Sequence, residues 1–262
     1  MDPSLKTAAS GMAAQQTRID VIANNLANVN TPGFKRSRAH FEDLLYQTVQ
    51  GEQRLGTAEA ETAPAIQIGR GTRLSGVQRV HEQGTLEMTQ RPMDIAVDGE
   101  GFFQVRRPDG TIAYARDGSF TISDQGVIVT SGGYALLPET RVPEDVTNVG
   151  VSRTGIITGS SASQAEPLEI GRVELARFPN APGLTSLGEN LYAETAASGQ
   201  PILGNPQEDG FGRLVQGALE SSNVEVVQEM VDMIAALRAY EINAKAVQAS
   251  EDMADVTNQM VR

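Results

Sequence analysis

The sequence predicts an α+β chain: long N- and C-terminal helices pair as a coiled-coil-like core domain, and an all-β domain is inserted between them. Three observations predict this. Both ends carry apolar residues at heptad spacing, the middle switches to short apolar runs divided by Asp-Gly and Gly-Gly, and Gly- and Pro-containing stretches separate the two regimes.

The first helix is expected from about Ser4 to Val29. Asp2 can cap it, and Pro3 stands where a helix tolerates a missing N–H. Its seam reads Leu5, Ala8, Met12, Ile19, Ile22, Leu26, Val29, broken only at Gln15. Such a narrow stripe suits a partner helix. Asn30-Thr31-Pro32-Gly33 ends it, since Pro cannot continue a helix.

The last helix is expected to start at Ser222-Asn223-Val224-Glu225, which reads as a capping box, and to run to about Met260. Its seam is Val226, Met230, Met233, Leu237, Tyr240, Ala244, Val247, Ala254, Val261. Val227, Val231, Ile234 and Ala235 widen the stripe, and a helix apolar on several sides needs several neighbours. One helix pair about 40 Å long cannot cover all these faces, which points to a polymer.

Between the helices, Ile95-Ala96-Val97, Phe102-Phe103-Gln104-Val105, Ile112-Ala113-Tyr114, Phe120-Thr121-Ile122 and Val127-Ile128-Val129 read as strands. Further strands are expected at Gly155–Thr158 and Val173–Phe178. Asp98-Gly99, Asp109-Gly110 and Asp117-Gly118 serve as turns. The expected division is residues 1–33 and 220–262 for the helical core, 74–192 for the β-rich domain, and 34–73 with 193–219 as linker-like stretches.

The chain has 262 residues, 33 acidic and 21 basic, for a formal charge of −12. That balance argues against nucleic acid as a partner, because phosphate binding needs a basic face. There is no Cys, which excludes disulfides, thiolate metal sites and a Cys nucleophile. No apolar run is long enough for membrane insertion, and no cleavable secretory signal is read at the N-terminus.

Chemistry is sparse. The Asp-Gly pairs lack the spacing of a calcium loop and suit hairpins. His40 and His81 stand far apart, in no metal-ligand or triad spacing. No phosphate-loop, nucleophile-elbow or dinucleotide motif occurs. The expectation is a non-enzyme with no catalytic, cofactor or metal residues. Asn24, Asn25, Asn28 and Asn30 are unusual in a heptad helix; they are either solvent-exposed or make interhelical hydrogen bonds that set register. Arg238, Tyr240, Glu241 and Asn243 cluster similarly on the last helix.

These clusters carry a family resemblance. Asn24-Asn25-Leu26-Ala27-Asn28 followed by Thr31-Pro32-Gly33-Phe34-Lys35-Arg36 resembles the signature of flagellar rod and hook proteins. Ser222-Asn223-Val224-Glu225 and Arg238-Ala239-Tyr240-Glu241-Ile242-Asn243 resemble the same family's C-terminal end. Gly99-Glu100-Gly101-Phe102-Phe103-Gln104-Val105 and Gly188-Glu189-Asn190-Leu191-Tyr192 resemble the opening and closing of its β domain. Within the family the distal-rod group fits best, through the stretch from Leu45 to Gly71; the proximal rod is the runner-up, and a secreted β-rich binding module the alternative outside the family.

The resemblance implies a structural subunit of the bacterial flagellar basal body. It would self-assemble as a helical homopolymer into a rigid hollow distal rod across the periplasm, transmit torque to the hook and form part of the export channel. Implied partners are further copies, proximal rod proteins, hook or hook-junction subunits, the P- and L-ring proteins as bushing, and the flagellar type III export gate. Phe41-x-x-x-Leu45 resembles the export-gate motif and equally describes an ordinary amphipathic turn. Residues from about Gln47 to Gly71 are expected to stiffen the rod. The seam residues above are the expected assembly interface.

Overall fold

The structure is a computed structural model that describes residues 3–50, 53–55, 61–63, 66–161 and 168–260. Asp2 and Val261 lie outside the described residues, as does most of the stretch from Gly51 to Ala65. The chain divides into two compact units.

The first unit comprises Met1–Leu26, Ser37–Gln78 and Glu225–Arg262. Helix α1 (Pro3–Ala27) and helix α2 (Val226–Met260) pair antiparallel in it. The direction is fixed by Asn25 meeting Glu229 and Arg18 meeting Asp232. Gly11 approaches Asn243 so closely that an added Cβ would lie 2.9 Å from its amide nitrogen. A two-stranded arm completes the unit. Ser37–Asp43 pairs with Thr72–Arg79, Tyr46–Gln50 with Ile66–Gly69, and Gln53–Leu55 with Glu61–Ala63. Linker-like composition gave no warning of this arm. Gln, Gly, Ala and Glu recur in the stretch, yet Thr48, Ile68, Leu74 and Val77 suit a pleated strand, and pairing satisfies their backbone groups.

The second unit comprises Ala27–Arg36 and Arg79–Val224. Its main sheet is antiparallel. Phe102–Arg106 lies at the centre, flanked by Ile112–Ala115 and Ala135–Leu137 and paired at one end with Leu175–Arg177. Both faces of the central strand are covered, which is why Phe102, Phe103, Gln104 and Val105 are all buried and read as a continuous run. Phe103, Phe120, Ile95, Ile157, Leu175 and Leu214 pack in one core, and Phe102, Tyr114, Phe178 and Tyr192 in another. Val146–Val151, Ile156–Ser161 and Leu168–Arg172 form a separate three-stranded sheet. At Asp117-Gly118 the glycine is obligatory: a Cβ would fall 1.7 Å from the Ile95 carbonyl oxygen.

The expected fold class is therefore corrected. α1 and α2 do pair, but they are not a coiled-coil-like domain with one all-β insertion. The chain is strand-dominated between two single helices, and the helices share their unit with the arm. The reason lies in what the helices bury. Among the described residues, those buried are Ala14, Ile22 and Asn25 on α1 and Glu229, Ala236 and Ser250 on α2, which are mostly small or polar rather than large knobs. The capping box is displaced as well. α2 begins after Glu225, and the Ser222 hydroxyl accepts from the Val224 N–H at 3.3 Å, closing a local turn instead of the third helical N–H.

Candidate assembly site

Two polar clasps stand where the terminal segments enter and leave their units. In the first unit, Asn25 is buried inside α1 despite its low helix propensity. Its side-chain amide satisfies the backbone of Ser37 in both directions: Oδ1 accepts from the Ser37 N–H at 2.8 Å, and Nδ2 donates to the Ser37 carbonyl at 2.9 Å. Nδ2 also donates to the buried Glu229 carboxylate of α2 at 3.2 Å. One residue thus ties the helix, the start of the arm and the opposing helix.

In the second unit, Gly33 to Arg36 run alongside Glu220 to Asn223. The Gly33 N–H donates to the Glu220 carbonyl at 2.7 Å, and the Asn223 N–H to the Phe34 carbonyl at 3.4 Å. Asn223 Oδ1 accepts from the Arg36 N–H, while its Nδ2 donates to the carbonyls of Val80 and Glu82. Gly33 has φ +68, and a Cβ there would meet the Asp117 nitrogen at 2.7 Å, so both conformation and space call for glycine.

Beneath this clasp lies an ion triad. The Glu220 carboxylate, fully buried, accepts from Lys35 Nζ at 2.5 Å, Arg116 Nε at 2.5 Å and the Gly84 N–H at 2.9 Å. Arg116 spends its other donors on the carbonyls of Val97, Gly99 and Gly101. Burial works against Glu220's charge, but Arg116 and Lys35 together outweigh it and hold the carboxyl below its usual range. Burial pulls Lys35 down, and the pairing with Glu220 opposes it. Removing one member would strand the others' charge in the core.

His81 sits beside the triad, edge-on to Phe102 and Tyr192, on a pocket of about 660 Å³ that Lys35, Arg116 and Phe178 also line. Neither ring nitrogen has a hydrogen-bond partner among the described residues. Burial first, then the charges of Lys35, Arg79 and Arg116, push its pKa down to about 4. The ring is neutral at pH 7.

The other residues singled out in the sequence fall as follows. Ile22 is buried, and Leu5, Met12, Ile19, Leu26, Val29, Met233 and Val247 are half-buried. Val226, Met230, Leu237 and Tyr240 are exposed. Of the family residues, Asn25, Gly33 and Phe34 are buried; Asn28, Thr31, Pro32 and Asn243 are half-buried; Asn24, Arg238 and Glu241 are exposed. Thr31 donates to Asn28 Oδ1 at 3.2 Å in the turn after α1. Phe41 is half-buried on its strand and Leu45 lies beyond the strand's end, 88% exposed. Sequence reasoning missed Arg116 and Glu220. The only available signal was a charge set in or beside an apolar strand, Ala218-Leu219-Glu220 and Ala113-Tyr114-Ala115-Arg116.

Residues 5–35 match the family model described as flagella basal body rod protein. Residues 96–159 match the flagellar hook protein FlgE/F/G D1 domain, and residues 215–260 the flagellar basal body rod FlgEFG protein C-terminal model. The chain is 48% identical to the flagellar basal-body rod protein FlgG of Borreliella burgdorferi, over 99% of this chain and 98% of that one. It is 43% identical to FlgG of Caulobacter vibrioides over 98% of each, and 36% to FlgG of Bacillus subtilis over 95% of this chain and 96% of that one.

The chain belongs to the FlgG family of flagellar basal-body rod proteins. Membership makes it a structural rod subunit of the basal body, working with other flagellar components in motility. The two terminal family models end and begin around the clasps: residues 5–35 contain Asn25, Gly33 and Lys35, and residues 215–260 contain Glu220, Asn223 and Glu229. The paired motifs seen in the sequence meet through these side chains. No described helix is long and apolar enough to cross a membrane.

Proposed function

We propose that the chain assembles with copies of itself into the rigid hollow distal rod, carries motor torque to the hook and lines part of the export channel. The observation that carries this reading is the uncovered apolar surface of α2. Val227, Met230, Val231, Ile234, Leu237 and Ile242 stand 45% to 72% exposed and point around the helix, so α1 alone does not cover them. Fully burying an exposed side chain of this kind is worth roughly 1.5–3 kcal/mol; covering these partly exposed ones gains a share of that, repeated at every subunit. A contact between unlike patches that does not close produces a helical filament.

In this reading the partners are further copies, the proximal rod below, hook or hook-junction subunits above, and the P- and L-ring proteins around the second unit. Export passes through the flagellar type III gate, with Phe41 and Leu45 as the segment it reads. The arm would stiffen the rod by bridging neighbours: an isolated two-stranded ribbon is marginal in water, and Leu45, Tyr46, Ile68, Leu74 and Val77 on it are exposed. The test is imaging of basal bodies carrying a tagged copy of the full chain. Density confined to the rod segment next to the hook supports the reading; density in the proximal segment moves the subunit there.

A further inference from the structure

The far end of α2 has no counterpart among the described residues of α1. Asn25 lies against Glu229 and Gly11 against Asn243, and in that register Pro3, where α1 begins, falls opposite Glu251. α2 continues to Met260. The continuation is acidic and apolar on one face: Asp252, Asp255, Val256 and Met260 recur at spacings of three and four, and all four are exposed. No basic residue stands in its last turn. The free carbonyls and the negative end of the helix dipole therefore add to the carboxylates. Such an end favours a cationic, partly apolar seat.

The same unit holds one. A pocket of about 650 Å³ at the base of the arm is lined by Lys6, Arg70, Arg73, Asp43, Leu44 and Leu45. Arg73 is engaged by Glu42 at 2.7 Å, which leaves Lys6 and Arg70 against Asp43. Its wall is held to α1 by Ser10, whose hydroxyl oxygen accepts from the Thr72 N–H at 3.2 Å. Leu45, 88% exposed, stands at the rim. No described α2 residue lines this pocket, so no described part of the chain's own helix end fills it.

We propose that the pocket of Lys6, Arg70, Leu44 and Leu45 seats the acidic end of α2 from a second copy of this chain. Asp252 and Asp255 face the two cations, and Val256 and Met260 cover the leucines. The excess positive charge of the pocket is the complement in a chain whose formal charge is −12. The pocket and the helix end are different patches, so a copy can seat one neighbour while its own helix end enters another; such a heterologous contact propagates where its rotation does not close. The proposal rests on the self-assembly reading above and specifies which surfaces meet.

The chain has no native cysteine, which makes cross-linking a clean test. Leu45→Cys and Val256→Cys, placed together in the full chain, leave every charge in place. Oxidation of assembled material is expected to give a ladder of covalent multimers on non-reducing gels, while each single variant stops at a dimer or less. A faster-migrating cross-linked monomer means the chain's own helix end enters the pocket and overturns the proposal. Assembly without a ladder overturns it too, and leaves the polymer reading intact. Failure of the unmodified chain to assemble at any concentration removes the polymer reading and the proposal with it.

Charge exchange gives an independent readout. Asp252→Lys with Asp255→Lys is expected to raise the concentration needed for assembly about tenfold. Adding Lys6→Glu and Arg70→Glu to the same chain is expected to restore it to within a few-fold, with circular dichroism confirming the fold in each case. No recovery in a folded four-site variant overturns the pairing.

Discussion

Lys35 Nζ lies 2.5 Å from Glu220 Oε1 in the interior of the second unit. Lys35 follows the turn that ends α1, and Glu220 ends the strand Ala218–Glu220 that leads into α2. The two chain ends that enter and leave this unit are therefore joined through one buried carboxylate, with Arg116 as the third member.

Glu220→Gln is expected to destabilise the protein by about 3 kcal/mol or more, because it leaves Lys35 and Arg116 buried without their counter-charge. Thermal or urea unfolding of the full chain checks it. Replacement of all three by apolar residues should cost much less than the single change, and an equal or larger loss would mean the triad stabilises the fold outright.

His81 gives a pH dependence with a defined sign. Its pKa is about 4 in the folded chain and 6.5 when exposed, so the unfolded state takes up the proton first. Its contribution is complete above pH 6.5 and disappears as the pH falls toward 4, by up to about 3 kcal/mol at 1.36 kcal/mol per pH unit. His81→Phe keeps an aromatic ring between Phe102 and Tyr192 and should flatten the profile in that window. Glu220, held below its ordinary value of 4.5, keeps its contribution above that pH and loses it as the pH falls further. A variant with the unchanged slope would remove His81 as the cause.

Asn25→Ala should cost about 1–3 kcal/mol, the penalty for orphaning buried groups, since the Ser37 N–H and carbonyl and the Glu229 carboxylate all lose a partner. A double-mutant cycle with Glu229→Gln should show coupling. Additive losses would mean the 3.2 Å contact contributes nothing of its own.

Leu237→Asp and Leu26→Asp separate assembly from folding. Leu237 is 45% exposed, so its variant should melt like the wild type yet fail to build rods or support motility. Leu26 is half-buried, so its variant should lose stability as well. Normal rods from the Leu237 variant would take that residue out of the interface.

Much was legible in the sequence because it is local. Heptad spacing and the Pro32-Gly33 stop marked α1, which runs to Ala27, and the Gly-free run marked α2. Apolar runs between Asp-Gly pairs marked the strands at Ile95–Asp98, Phe102–Arg106 and Ile112–Ala115, because turn chemistry and a doubly covered strand both leave their mark within a few residues. The motif residues also marked the family. Tertiary structure alone decided what depends on distant partners. Heptad spacing says that a helix has a face, not how large the buried side chains are; here Ala14, Asn25, Glu229 and Ala236 fill the contact. A Gln-rich stretch becomes strand only when its complement, residues 66–79, lies alongside. Nor could one dimension show that Lys35, Arg116 and Glu220 converge, since a charge is stable in a core only through partners that the fold brings from far along the chain.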